Sequence, residues 1–379
     1  MDFTLTEAQE AIRQRAREFA EKEIAPTATE RDEREEFSRE IFDKMGEAGF
    51  AGIPYPAQYG GAGLDFLSFT LVAEELARVE SGWVLCLASH SILAGGTIFQ
   101  FGSEELKQKY LVPLAQGKKL ACFSLTEPGA GSDAASLQTT ATLEGDEYVL
   151  NGRKVFATNA GDAEIYVIFA MTDKAQGTRG ISCFVVEKGT PGLSFGPKPR
   201  KLGVRGTVQR ELILENCRIP KANIIGQEGA GFRAALGSLD WGRVGIAAQG
   251  LGIAQGALDN ALNYGKTRIQ FGKPIAENQA ISFMLADMAT ETEAVRLLVY
   301  RAASVLDQGK RATQEAAMAK MYATDVALKV SADAVQIMGG LGCTKEAPVE
   351  RFMRDAKVTQ IYEGTNQVMR MVISGGILR

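Results

Sequence analysis

The chain has 379 residues, 45% of them hydrophobic and 23% charged, with a formal net charge of −4. That suits one large or two to three ordinary domains with ample core. The mildly acidic balance argues against nucleic-acid or membrane-surface partners, which need a concentrated basic face. No apolar run is read as approaching the roughly 18 residues of a bilayer span, and the opening MDFTLTEAQEAIRQRAREFAEKEIAP interleaves charge with apolar residues, unlike a signal peptide. Five scattered cysteines (Cys86, Cys122, Cys183, Cys217, Cys343) form no C-x-x-C pair and predict reduced thiols in a cytoplasm. A single histidine, His90, excludes histidine-based triads and the usual metal cages, leaving acid–base work to carboxylates, Lys, Tyr or a cofactor.

From residue 1 to 118 the pattern is helical: Leu5, Ile12, Ala16, Phe19 and Ile24 recur at helical spacing, with Thr4–Glu7 as a candidate capping box. The turn Tyr59-Gly-Gly-Ala-Gly63 precedes a helix over Phe69–Val79. From 119 to 227 the period falls to two. Val149–Leu150 and Lys154–Phe156 flank Asn151-Gly152, which predicts a hairpin turn there; Ile165–Phe169, Ile181–Val186 and Glu211–Leu214 read as further strands, with Pro191, Pro197 and Pro199 in loops. From 228 to 379 helices return, with an apolar stripe Ile281, Met284, Leu285, Met288, Val295, Leu298, Val299. The expected fold class is α+β.

Four stretches bear on chemistry. Phe123-Ser-Leu-Thr-Glu-Pro-Gly-Ala-Gly-Ser-Asp133 is either an ordinary turn or a loop whose backbone approaches a phosphate or flat ring, with Thr126 and Ser132 adding hydroxyls. Gly250-x-Gly252-x-x-x-Gly256 has the wrong spacing for a dinucleotide fingerprint and reads as close helix packing. Gln360-Ile-Tyr-Glu363-Gly-Thr-Asn-Gln367 places a carboxylate at a helix–loop–helix junction; it is a surface Glu or, in a hydrophobic cleft, a general base of raised pKa. Arg268, near Phe271 and Gly272, suits a phosphate or a surface carboxylate equally.

Taken with Phe156-Ala-Thr-Asn159, Leu239-Asp-Trp-Gly-Arg243, Arg268-Ile-Gln-Phe-Gly-Lys-Pro274, Gln336-Ile-Met-Gly-Gly340 and Arg354-Asp-Ala-Lys357, these segments occur in the order found in the acyl-CoA dehydrogenase family. The chain resembles that family nearly end to end, and most of all its short-chain, butyryl-CoA dehydrogenase-like branch. The resemblance implies an N-terminal helical domain (1–118), a middle β-barrel or sandwich domain (119–227) and a C-terminal four-helix bundle (228–379), assembled as a homotetramer of paired dimers. It implies FAD as cofactor, α,β-dehydrogenation of a short-chain acyl-CoA, and electron-transfer flavoprotein as partner. Glu363 would be the base taking the α proton, with flavin N5 accepting the β hydride and the thioester carbonyl held by the Glu363 N–H and a ribityl hydroxyl. Phe123, Leu125, Thr126, Gly131, Ser132, Phe156 and Thr158 would surround the flavin and ribityl chain. Arg268, Phe271, Gln279, Gln336, Gly339 and Gly340 would reach the pyrophosphate and adenosine, partly from a neighbouring subunit, and Thr365, Asn366 and Gln367 would close over the cofactor. Ser132, Asp240, Arg243 and Gly364 match positions that contact acyl-CoA.

Some members of the family carry the base on the helix of Asp240, at the position of Gly242 here, so Glu363 has no rival. Trp241 replaces a usually small residue, as packing or as a selectivity feature. Gly95 and Gly96 are expected to leave room for a branched, cyclic or aromatic acyl group, with His90 either facing that space or in the core. The same residues would serve enoyl-CoA reduction; an oxidase or a nucleic-acid-binding homologue fits less well.

Overall fold

The computed structural model describes residues 4–378. Helix α1 (Glu7–Phe19) starts from a capping box, but two residues later than the sequence suggests: Thr6 accepts from the Gln9 N–H at 3.2 Å while the Gln9 side chain accepts from the Thr6 N–H at 3.0 Å. Helix α2 (Phe66–Ala77) begins three residues before the expected Phe69, because the Asp65 carboxylate caps it through the Ser68 N–H at 2.7 Å. Helix α3 (Gly82–Phe101) corrects the hydropathy reading. It is 20 residues long with mean hydropathy 1.5, long and apolar enough to cross a membrane, but 83% of its most apolar stretch is buried within the fold, as in a core helix.

The middle of the chain forms one seven-stranded sheet: β1 (Ala121–Ser124), β2 (Thr140–Glu144), β3 (Glu147–Thr158), β4 (Ile165–Met171), β5 (Ile181–Glu187), β6 (Leu193–Phe195) and β7 (Gln209–Pro220). The order is β1-β4-β2-β3-β7-β6, with β5 also paired to β4; β1–β4 is parallel and β3–β7 antiparallel. Asn151-Gly152 is not a turn. Both lie inside β3, where the register against β7 shifts, and Gly152 is needed because a Cβ there would collide with Thr139. The hairpin turn is Gly145-Asp146 between β2 and β3, with Gly145 at φ 63°.

Helix α4 (Gly231–Thr267) then leads through a two-strand hairpin, β8 (Ile269–Gln270) and β9 (Lys273–Pro274), into α5 (Gln279–Asp307), α6 (Thr313–Met338), α7 (Val349–Thr359) and α8 (Asn366–Ile377). The glycines of α4 act as the packing reading expects. A Cβ on Gly250 would lie 3.0 Å from the Ala323 backbone in α6, and one on Gly252 or Gly256 would strike the Glu74 or Arg78 carbonyl. Four cysteines are buried, Cys343 is exposed, and all five are free.

His90 is a core residue and does not face a cavity. Its Nδ1 accepts from the Ala121 N–H at 3.0 Å, which fixes Nε2–H as donor to the Leu114 carbonyl at 3.1 Å; Phe42 packs edge-on at 5.1 Å. Burial lowers its pKa from 6.5 to about 4. The unfolded chain therefore takes up this proton first. The stability His90 contributes is complete above pH 6.5 and is lost as pH falls toward 4, by about 3 kcal/mol in all. His90→Gln, which keeps one acceptor and one donor, is expected to flatten the acid side of a urea-unfolding pH profile by about one proton; an unchanged slope would count against this.

Candidate active site

The candidate residues fall into two groups: the loop after β1, and the loop between α7 and α8 together with the middle of α4. The first loop follows β1. Beneath it Lys154, fully buried on β3, donates to Glu127 Oε1 at 2.7 Å and to the Leu125 carbonyl at 3.2 Å. The other Glu127 oxygen accepts from the Gln138 N–H at 2.6 Å, and the Thr126 carbonyl accepts from the Val155 N–H at 2.9 Å. Ser89 bridges the Phe123 N–H and the Thr158 carbonyl, both at 3.4 Å. Phe123, Leu125, Thr126, Phe156 and Thr158 are thus brought together. Gly131 and Ser132 lie on the exposed side of the loop, and a Cβ on Gly129 or Gly131 would meet nothing within 4 Å. Phe156 stands 72% exposed at φ 56°.

The second loop joins α7 to α8 and carries Glu363 at φ 53° and Gly364 at φ 98°. A left-handed conformation at a glutamate costs on the order of 1 kcal/mol and persists only where its surroundings hold it. The Tyr362 hydroxyl donates to Gln249 at 2.9 Å, Arg243 Nε donates to the Glu363 carbonyl at 3.4 Å, and the Asn366 N–H donates to the Gln360 carbonyl at 3.0 Å. Thr365 caps α8 through the Val368 N–H at 3.2 Å. Both Glu363 carboxylate oxygens are buried without a hydrogen-bond partner among the described residues. They lie against Gly242, where a Cβ would overlap Oε2, and beside Leu93. The loss of hydration raises the Glu363 pKa from 4.5 to about 7, against the pull of Arg243 and Lys320. One turn along α4, Asp240 pairs with Arg243 at 3.1 Å and accepts from the Thr313 hydroxyl, with Arg311 4.0 Å away. The structure therefore unites Glu363, Gly364, Asp240 and Arg243.

The remaining expected cofactor residues lie elsewhere in the chain. Arg268 and Phe271 sit on the β8–β9 hairpin, with Phe271 97% exposed at φ 52°; Gln279 opens α5, and Gln336, Gly339 and Gly340 end α6. Among the described residues no hydrogen bond joins their side chains to Glu363 or to the first loop, and Arg268 has no carboxylate partner. Of the pair expected to widen the pocket, Gly95 does not: the Tyr55 hydroxyl fills that space on its way to the Ser91 carbonyl. Gly96 faces Trp241, whose ring also packs on Phe66 at 5.4 Å. Sequence reasoning missed Lys320, Thr313 and the Lys154–Glu127 pair. The available signal was a lysine on the alanine-lined face of α6, among Ala316, Ala319 and Ala323.

What this geometry defines is a buried carboxylate of raised pKa, suited to taking a proton, and a loop open to close backbone approach. Models of the N-terminal, middle and C-terminal domains of acyl-CoA dehydrogenase match residues 6–118, 122–217 and 229–378. The chain is 51% identical over 379 residues to the short-chain specific acyl-CoA dehydrogenase of Clostridium acetobutylicum, covering 100% of both. It is 49% identical over 375 residues to the caffeyl-CoA reductase-Etf complex subunit CarC of Acetobacterium woodii, covering 99% of both. The structure of butyryl-CoA dehydrogenase from Megasphaera elsdenii superposes with a TM-score of 0.99 at 48% identity, over 100% of both chains. The chain belongs to the acyl-CoA dehydrogenase family, and is an FAD-dependent oxidoreductase. The residues present fit that cofactor: open glycines, an exposed ring at Phe156 and a pre-tied loop offer close backbone approach to a flat ring.

Proposed function

We propose that this enzyme desaturates a short-chain or small branched or cyclic acyl-CoA at Cα–Cβ and hands the electrons to an electron-transfer flavoprotein. The observation that carries the reading is the buried Glu363 carboxylate, which has no hydrogen-bond partner among the described residues. FAD, when bound, supplies the acceptor for the hydride that leaves the β carbon. Glu363 takes the α proton, an acid far too weak for a solvated carboxylate, so the Glu363 backbone N–H must hold the thioester carbonyl as charge develops on it. Asp240, Arg243, Gly364 and Ser132 orient the CoA thioester. Phe123, Leu125, Thr126, Gly131, Ser132, Phe156 and Thr158 line the flavin and ribityl chain, and Thr365, Asn366 and Gln367 close over it.

Arg268, Phe271, Gln279, Gln336, Gly339 and Gly340 reach the pyrophosphate and adenosine of FAD, partly from a neighbouring subunit, in a homotetramer of paired dimers. Support comes from Arg268, which has no carboxylate partner among the described residues, and from the nearly fully exposed Phe271. The three domains divide at 118/119 and 227/228, and five free thiols suit a cytoplasmic protein. A second reading, enoyl-CoA reduction with the same residues, is favoured by the likeness to the caffeyl-CoA reductase subunit.

Anaerobic titration of the yellow protein with butyryl-CoA, cyclohexanecarboxyl-CoA and phenylpropionyl-CoA tests the proposal. Bleaching by one of them is expected; an untouched flavin that an enoyl-CoA reoxidises after chemical reduction would favour the reductase. With Glu363 needed as carboxylate and its pKa raised to about 7, kcat/KM should climb with pH and level off above that value. A profile flat from pH 5 to 8 would contradict Glu363 as the base.

A further inference from the structure

Lys320 lies on α6 and is fully buried, yet none of the roles above uses it. Its Nζ donates to the Gly364 carbonyl at 2.8 Å and to Asn366 Oδ1 at 3.0 Å. Asn366 is held in turn from the same helix: its Nδ2 donates to Thr324 Oγ1 at 2.9 Å and Asp325 Oδ1 at 2.7 Å, and Gln360 reaches the same Asp325 oxygen at 2.7 Å. One face of α6 therefore grips both ends of the loop whose middle holds Glu363 and Gly364 at positive φ. Of these grips, Lys320 alone reaches the residue next to Glu363. A buried amine is costly, and burial lowers its pKa to about 7 against the attraction of Glu363. A bundle in need of packing alone would be served by an aliphatic residue there.

We propose that Lys320 is a positioning residue for the proton transfer: by fixing the Gly364 carbonyl and Asn366 it sets the Glu363 carboxylate and backbone N–H in register with the thioester. This rests on Glu363 being the base. The charged groups that also face the pair are Arg243 from α4 and Asp325 from α6 itself.

The test compares wild type with Lys320→Met and Lys320→Gln, all FAD-loaded, with flavin content and Tm recorded. Two rates are read: anaerobic flavin bleaching by butyryl-CoA, and solvent deuterium uptake by acetyl-CoA, which has α protons but no β carbon to oxidise. In Lys320→Met both rates per bound flavin should fall on the order of 10²-fold, with KM little changed, since small misplacements of reacting groups cost that much. The pH at which the rate levels off should rise, because a cation near Glu363 is gone. Lys320→Gln, which keeps an N–H donor, should recover about tenfold or more of the loss. Wild-type rates and an unmoved pH profile in Lys320→Met would overturn the proposal, as would a Gln variant no better than Met. Should Lys320→Met fail to fold, Lys320→Gln decides alone: an intermediate rate with a raised pH profile supports the role, and wild-type behaviour ends it. Absence of exchange in wild type, together with no bleaching by any of the three thioesters and no reoxidation by an enoyl-CoA, would instead mark failure of the Glu363 reading itself.

Discussion

Glu363→Gln is expected to slow thioester-driven bleaching of the flavin on the order of 10³-fold or more, while FAD stays bound. The substitution keeps the size and most of the shape of the side chain, and among the described residues neither carboxylate oxygen has a hydrogen-bond partner, so no such bond that holds the loop is lost. What goes is the basicity of a poorly hydrated anion, since an amide oxygen is far too weak a base to take the proton. The loop is held by backbone and neighbouring groups, through Tyr362, Asn366, Lys320 and Arg243, and the amide should take up the same place. A stopped-flow trace that still bleaches at the wild-type rate would remove Glu363 from the mechanism.

Gly242→Ala is expected to cost about 10²-fold in the same rate, although a single methyl group on a helix is normally welcome. Its Cβ would overlap Glu363 Oε2 and come within 2.8 Å of Leu93 Cδ2. Helix α4 is long and packed on both sides, so the carboxylate must yield before the helix does. The loss should appear in kcat more than in KM, because Asp240 and Arg243, on which the CoA depends in the proposed reading, keep their own contacts. Unchanged kinetics in the folded, FAD-loaded variant would show that the carboxylate works from another position.

Much of this site was legible in the sequence because its parts are local. The 123–133 loop, the Asp240–Arg243 turn of α4 and the Glu363–Gly364 corner are each continuous stretches, which a family resemblance can place residue by residue even where composition alone leaves their role open. The β run at Ile181–Val186 and the tight glycines of α4 were legible for the same reason. What failed depended on tertiary neighbours. Asn151-Gly152 has the composition of a turn, yet Thr139 pressing on Gly152 explains its glycine within an unbroken strand. The apolar length of α3 looked too short for a span because Ser89, His90, Ser91 and Thr97 interrupt it; each finds a buried partner in the fold. The space credited to Gly95 belongs to Tyr55, forty residues earlier in the chain. Lys320 was passed over because a lysine in a helix reads as solvent-facing until the groups opposite it are known, and the alanines beside it were a weak counter-signal.

The pair formed by Lys154 and Glu127 has a consequence for how the enzyme acquires its cofactor. The loop that would lie against the flavin is tied from below by groups of the protein alone: a buried ammonium, a carboxylate and three backbone N–H groups. Its shape is therefore inherited from the sheet and not imposed by the ligand, so little ordering entropy is charged against FAD affinity. A loop tied in this way would offer its backbone to FAD without first having to be ordered by it.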